Sequence, residues 1–320
     1  MIHLIRLFRP VNLIIIAGTM YSLGVYFDQV VHSAKQLDWW QSFDFFLLVF
    51  STVLIAAAGN IINDYFDVRA DRINRPGRLV ITKHVKRRWA IVLHWTLNLI
   101  AFLIAAYLSY RNQTFWYVFI HLASINLLWF YSMQLKRTLV IGNVVIALLT
   151  SLVPVLVGIF YHENANSELL SESIFPFEQV DLRSFFIMFS ISLGVFAFLL
   201  NWIREIVKDI EDIEGDHVIR ARTIPIVYGV ARAKNITLLL ILSTMLISLA
   251  IIYGYMEGFI PELWPFSPLI LSAVTLIAAA VFLFRSQDKK DYRYTNMLIK
   301  ITMIVGMLLP LFWIISGFTQ

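Results

Sequence analysis

The chain has no cysteine. Disulfides, thiolate catalysis and cysteine-ligated metals are therefore excluded. Charge is scarce too: Asp, Glu, Lys and Arg together make up 15% of the 320 residues. The seven histidines are scattered and form no ligand-spaced pair. His94 and His121 fall inside apolar runs, where a hydrogen-bonded packing role is expected. There is no glycine-rich phosphate loop, no Gly-x-Ser-x-Gly and no His-Glu-x-x-His. Nor is there a DNA- or RNA-binding motif, so no nucleic-acid partner is expected, and nothing points to an obligate protein partner.

What the chain has is apolar content, 59% of residues with a mean hydropathy of +0.74. A soluble domain has too few buried positions for that, so an integral membrane protein is expected. Runs long enough to span a bilayer lie at 11–27, 43–62, 89–107, 115–133, 139–161, 185–206, 236–255, 266–284 and 295–317. The expected fold is all-α, nine transmembrane helices in one bundle, forming a single domain over 1–320. The first run precedes eight others and reads as a retained span rather than a cleaved signal peptide. Of the 26 Lys and Arg, all but Lys35, Arg111, Arg183 and Lys300 fall on one side of that topology. By the positive-inside rule this side is cytoplasmic. The expectation is a multi-pass protein of the cell (inner) membrane, N-terminus in the cytoplasm, C-terminus on the opposite side. The polar segment 162–183 reads as an outer surface hairpin. The net charge of +5 reflects the topology.

Two acid clusters of identical spacing stand out: Asp64, Asp67, Asp71 and Asp209, Asp212, Asp216. Asn60 and Glu205 precede them by four residues, so the whole pattern repeats at an offset of 145. The chain thus reads as two pseudo-repeats with motifs at 60–78 and 204–225. On one continuous helix, positions 0, 4, 7 and 11 lie within about 60° of each other, a stripe roughly 16 Å long. A lone Asp near a helix end is ordinarily a cap or a solvated charge. Six in two matched sets at the edge of apolar runs call for a cation, and hard divalent ions such as Mg²⁺ prefer oxygen ligands and bridge to phosphates. Six carboxylates with two such ions and a diphosphate still leave excess negative charge. Arg69, Arg72, Arg75 and Arg78 follow the first cluster, and Arg204, Lys208, Arg220 and Arg222 flank the second. Lys83, Lys86, Arg87 and Arg88 read as topological anchors. A metal-assisted departure of diphosphate is the expected chemistry. The membrane setting makes the rest of the substrate a polyprenyl tail, whose allylic cation must be shielded from water and can be stabilised by aromatic faces.

The run from Asn63 to Arg78, NDYFDVRADRINRPGR, resembles the first aspartate-rich motif of the UbiA superfamily of intramembrane prenyltransferases, and REIVKDIEDIEGD, from Arg204 to Asp216, resembles the second. The resemblance covers nearly the whole chain. The wording INRP and KDIEDIEGD is most similar to the branch of digeranylgeranylglyceryl phosphate synthases and their bacterial relatives. It implies Mg²⁺-dependent transfer of a polyprenyl group, geranylgeranyl by that branch, from its diphosphate to a prenylated glycerol phosphate, with the cavity open to the cytoplasmic side. It also implies that Asn63, Asp64, Asp67, Asp71, Asp209, Asp212 and Asp216 hold Mg²⁺, with Asp67, Asp71, Asp209 and Asp216 central to catalysis. Substrate binding would fall to Asn12, Asn60, Arg75, Arg78, Tyr131, Lys136, Arg137, Arg204 and Lys208. Many relatives continue after the first motif with a stretch ending in Pro-Ser-Gly. Residues 77–85 here read GRLVITKHV, a departure that bears on the acceptor.

Three other readings compete. A transporter has internal repeats and membrane carboxylates, but its acids lie near the midplane. A CDP-alcohol phosphotransferase needs an Asp-Gly-x-x-Ala-Arg core, and Asp67 and Asp212 are followed by Val-Arg-Ala and Ile-Glu-Gly. The third keeps the superfamily and makes the acceptor an aromatic ring, as in quinone or haem biosynthesis.

Overall fold

A computed structural model describes residues 2–32, 39–165, 181–258 and 264–315. Most of the expected outer hairpin, 166–180, and the end of the last expected span, 316–317, lie outside them. The described residues form helices α1 (Ile2–Phe8), α2 (Pro10–His32), α3 (Trp39–Phe66), α4 (Val68–Asn74), α5 (Arg87–Arg111), α6 (Trp116–Met133) and α7 (Ile141–Asn164). They continue with α8 (Leu182–Glu211), α9 (Ile213–Val218), α10 (Ile224–Tyr228), α11 (Val230–Gly258), α12 (Ser267–Arg285), α13 (Lys289–Gly306) and α14 (Leu309–Ile315). The β-structure among them is a single bridge, Ile81 to Val85.

Among the described residues, eight helical segments are long and apolar enough to cross a bilayer: α2, α3, α5, α7, α8, α11, α12, and α13 with α14. The run expected at 115–133 forms α6, but His121, Asn126, two Trp and two Tyr offset its aliphatic residues, and it is not among the eight. Apolar side chains cover the outside of the bundle. On α11, Leu239, Leu242, Leu246 and Leu249 are all more than half exposed. Such a face is costly in water and at ease in hydrocarbon, so the chain is a multi-pass membrane protein.

Inside, α2 touches both α3 and α7, joining an α3–α5–α6 group to an α7–α8 pair. Gly158 lets α7 close on α8: a Cβ there would lie 2.5 Å from Ser190 Oγ and 2.8 Å from the Phe186 carbonyl. Small residues serve this purpose in membrane helix packing. Phe27, Phe160, Tyr161, Phe185 and Phe186 fill the apolar core at one end. The acid clusters lie at the other.

Both acid-bearing helices break at the middle acid of their cluster. α3 ends at Phe66 and α4 begins after Asp67, while α8 ends at Glu211 and α9 begins after Asp212. The two breaks are 145 residues apart, so the sequence repeat is also a backbone repeat. The continuous stripe expected from the spacing is corrected here: each row is bent. Asp67 (φ −82°, ψ −2°) and Asp212 (φ −99°, ψ 7°) have moved toward the bridge region, although the backbone bonds from Asp71 to Asp67 and from Asp216 to Asp212 persist. The bends let α4 and α9 pack on each other. Asn74 Nδ2 donates to the Asp212 carbonyl at 3.0 Å, and the Gly215 amide donates to Asn74 Oδ1 at 3.0 Å.

The segment that departs from the Pro-Ser-Gly pattern is tucked in. Leu79, Val80 and Ile81 are buried with Leu7, Ile61, Val68 and Ala90. It therefore ties α1, α3 and α5 together beside the first acid row.

Candidate active site

The first acid row is held by cations from two separate elements. Arg9, at the break between α1 and α2, donates to Asp64. Lys136, in the 3-10 turn Leu135–Arg137 after α6, donates to Asp67, which also accepts from Asn63 Nδ2 at 2.9 Å. Local backbone geometry sets Lys136 in place. Val140 sits at φ 58°, a strained value for a β-branched residue, and turns the chain into α7. Gly142 then approaches so closely that a Cβ would lie 2.6 Å from the Leu135 carbonyl.

The second row is held differently. Asn143 Nδ2, one residue past Gly142, donates to Asp209 Oδ2 at 2.9 Å. Arg75, from the first motif, donates to both oxygens of Asp212, at 3.1 and 2.9 Å, and approaches Glu211 at 3.6 Å. Glu211 also accepts from Asn296 Nδ2 at 3.0 Å, which ties α13 to the same end. Glu205 pairs with Arg204 at 2.6 Å and lies 3.5 Å from Lys208.

The two rows share one electrostatic centre. Burial alone would discharge Lys136, but Asp67, then Asp216 and Asp71, hold its ammonium above the ordinary lysine range. Arg9 is likewise held charged against burial by Asp64, with Asp67 and Asp71 adding to it. Burial, then the charge of Asp67, pushes the Asp71 carboxyl up to about 6, with Lys136 opposing. Burial also pushes Asp216 up to about 6, against Lys136 and with Asp212 and Asp67 adding to it. Negative charge is thus in excess at the shared centre, and the Asn63 Oδ1 acceptor beside it is buried without a partner. Both features fit a hard divalent cation. Among the described residues no three Asp, Glu or His side chains converge into a ready-made cage. Mg²⁺ does not need one, since it is usually bound by one or two carboxylates with waters and substrate phosphates.

Below the rows lies a cavity with about 1320 Å³ of empty space, its open mouth included. Asn63, Glu205, Lys208, Arg204 and Tyr131 line its polar end, while Ile120, Leu152, Val153 and Leu156 line the apolar end. The aspartates do not line it. They sit beyond Asn63 and Glu205, so the polar mouth faces the rows and the apolar end runs into the bundle. Such a shape suits a ligand with a charged head and a hydrocarbon tail.

The structure sorts the predicted residues. Asn12, Asn60, Tyr131, Arg204 and Lys208 line the cavity, and Asn60 also donates to the Phe8 carbonyl at 2.9 Å. Arg75 points at Asp212 instead and links the two motifs. Arg137 does not line the cavity; its carbonyl accepts from the Arg222 amide at 2.8 Å. Arg78 ends a 3-10 turn, and its side chain lies outside the described residues. Arg69, Arg72, Arg220 and Arg222, expected as a basic rim, are exposed at the surface. Sequence reasoning missed Asn74, Asn143 and Asn201. They are neutral, isolated in sequence, and acquire their roles from contacts across helices. His94 is a packing residue as expected, its Nδ1 meeting the Ala58 carbonyl at 2.9 Å, whereas His121, whose Nε2 meets Ser51 Oγ at 2.8 Å, also lines the cavity.

Comparison with known proteins agrees with this geometry. Residues 23–313 match the UbiA prenyltransferase family. The chain is 32% identical over 302 residues to the digeranylgeranylglyceryl phosphate synthase of Methanothermobacter thermautotrophicus, covering 93% of this chain and 91% of that one. It is 29% identical over 313 residues to the protein of the same name from Pyrococcus abyssi, covering 95% and 96%. A solved structure of digeranylgeranylglyceryl phosphate synthase in membranes aligns with a TM-score of 0.64 at 22% identity, over 96% of each chain. A UbiA homologue from Archaeoglobus fulgidus bound to GPP and Mg²⁺ aligns at 0.58 and 17% identity, over 96% and 99%. The structural likenesses speak for the fold, and the match over 23–313, with the identity to the Methanothermobacter protein, speaks for descent: the chain belongs to the UbiA prenyltransferase family.

Proposed function

We propose that this protein transfers a polyprenyl group, geranylgeranyl in the first instance, from its diphosphate to a prenylated glycerol phosphate, with Mg²⁺ as cofactor. The observation that carries this reading is the meeting of the two bent acid rows, through Lys136 and the α4–α9 contact, over a cavity that passes from charged to apolar. The names of the Methanothermobacter and Pyrococcus relatives support the acceptor, and the GPP and Mg²⁺ bound to the Archaeoglobus homologue support the donor and the metal.

In this reading Asn63, Asp64, Asp67, Asp71, Asp209, Asp212 and Asp216 hold Mg²⁺, directly or through water. Bound there, Mg²⁺ neutralises charge on the leaving diphosphate oxygens. Lys136 and Lys208 bind phosphate oxygens of the donor, and the tail lies along Ile120, Val153 and Leu156. The bond between C1 of the prenyl group and the diphosphate oxygen breaks, and both electrons leave with the oxygen. The allylic cation is held in the apolar part of the cavity, away from water. An acceptor hydroxyl oxygen forms the new C–O bond, and its proton goes to the released diphosphate. The product is an ether.

The topology follows from the same reading. One domain over 1–320, with pseudo-repeats carrying the motifs at 60–78 and 204–225, crosses the cell membrane nine times, α6 counting as the ninth span. The acid end carries most of the Lys and Arg and is cytoplasmic.

The test incubates purified protein with labelled geranylgeranyl diphosphate and Mg²⁺, adding prenylglyceryl phosphate, an aromatic acceptor, or neither. The expected result is an ether product and diphosphate release with the lipid acceptor alone. Transfer only to the aromatic acceptor would overturn the acceptor, and equal activity in EDTA would overturn the metal.

A further inference from the structure

Lys300 belongs to neither acid motif. It lies eleven residues into α13, roughly 16 Å along the helix at 1.5 Å per residue, within a membrane-spanning segment. A cation at such depth is costly and is retained where it has a partner or a task. Among the described residues Lys300 makes no ion pair; the charged groups acting on it most strongly are Arg204, Arg9, Lys208 and Arg75, all cations. It lines the cavity together with Arg9, Arg204 and Asn201.

A second observation is independent of charge. Asn201 is 4% exposed, and its Nδ2 is a buried donor with no partner. Arg204 donates to Asn201 Oδ1 at 3.3 Å, which fixes the amide orientation and leaves the nitrogen as the unused group. Buried polar groups are ordinarily hydrogen-bonded. A donor without an acceptor, lining the same cavity as an unneutralised lysine, marks an anion site.

We propose that Lys300, Asn201 and Arg204 form a second anion subsite, separate from the diphosphate site at the acid rows, and that it binds the phosphate monoester of the acceptor lipid. The proposal rests on the transfer reading above and adds where the acceptor's charge is held. The division of labour follows from the surroundings. Lys136 is paired with Asp67 within the shared carboxylate centre, whereas Lys300 comes from α13 and, among the described residues, forms no ion pair, the nearby Glu205 being taken up by Arg204. Two anions bound to separate sets of cations keep their mutual repulsion out of the reacting pair, and the acceptor hydroxyl, a few bonds from its phosphate, is anchored beside the polar end of the tail channel.

The test uses the full-length protein in detergent or nanodiscs. Kinetics with varied donor and varied acceptor are measured for the unsubstituted protein, Lys300→Met and Lys300→Arg. Equilibrium binding of labelled prenylglyceryl phosphate is measured without donor. Losing a charge-assisted bond to phosphate should raise the acceptor KM and Kd about 10- to 100-fold in Lys300→Met. The donor KM should stay within about two-fold of the parent, Lys300→Arg should recover most of the loss, and the neutral prenylglycerol should bind the parent and Lys300→Met equally. If Lys300→Met does not fold, Asn201→Leu is judged by the same criteria. A raised donor KM with unchanged acceptor binding, or no change in either, overturns the subsite. Failure of the unsubstituted protein to transfer to any glycerol phosphate lipid counts against the function itself, and the donor-free binding measurement then still decides the subsite.

Discussion

Arg75 of the first motif donates through a single guanidinium nitrogen to both carboxylate oxygens of Asp212 in the second, across 137 positions of sequence. It is a direct ionic link between the two halves of the acid site. Neither helix break supplies it: the bends merely bring α4 and α9 into contact. Replacing the guanidinium by an apolar chain of similar length, Arg75→Met, leaves Asp212 without its cation. About 1.5–3 kcal/mol of stability should be lost, the range for hydrogen bonds to charged groups. Thermal unfolding in detergent reads this, and diphosphate release should fall as the rows separate.

Asp67 is 6% exposed and receives both Lys136 and Asn63. Asp67→Ala removes a proposed metal ligand and strands a buried ammonium. Release of diphosphate should fall by at least about 10²-fold. Asp209→Ala should fall comparably but lose less stability, because Asn143, its hydrogen-bond donor, is neutral. Full activity in either variant would remove the acid rows from the mechanism.

Asp71 and Asp216 each titrate near 6 in the folded protein, against an ordinary 3.8. A raised folded value means that the folded state holds the extra protons. Its contribution to stability is therefore present below the unfolded value, is lost as pH rises from about 4 to about 6, and stays lost above. A bound divalent cation reverses that loss, and it requires the deprotonated carboxylates. The increase in Tm caused by Mg²⁺ should be larger at about pH 7.5 than at about pH 5. An equal increase at both would separate these two carboxylates from metal binding.

Gly215 and Gly77 make a matched pair. A Cβ on Gly215 would lie 2.3 Å from Asn74 Nδ2 and 2.9 Å from the Ala70 carbonyl, whereas a Cβ on Gly77 meets nothing within 4 Å. Gly215→Ala forces α9 away from α4, at about 1–3 kcal/mol, and should cost activity as well. Gly77→Ala should be close to neutral in both assays.

Val153 lines the apolar end of the cavity. Val153→Trp fills tail space without touching the acid rows. Preference should shift from geranylgeranyl toward shorter allylic diphosphates, read as the ratio of kcat/KM for the two donors. An unchanged ratio would mean that the tail lies elsewhere.

Apolar runs, the one-sided distribution of Lys and Arg, and the repeated 3-then-4 spacing of the aspartates are properties of the linear chain, so the membrane class and the acid rows could be read directly. The bend at Asp67 and Asp212 could not be, because a 3.6-residue period looks the same on a straight helix and on a kinked one. Arg75, Lys136 and Lys208 are all basic residues near a motif; that Lys208 lines the cavity while Arg75 and Lys136 tie down Asp212 and Asp67 depends on the packing of α4 on α9 and on the turn at Val140. Asn143, Asn201 and Lys300 carry no pattern at all, since each draws its meaning from a neighbour on another helix. Hydrophobicity and charge are local properties, so the kind of environment and the chemistry of the ligands are written in the linear chain. Which charges neutralise one another and which are left for a ligand depends on distances between helices far apart in the chain, and so emerges with their packing.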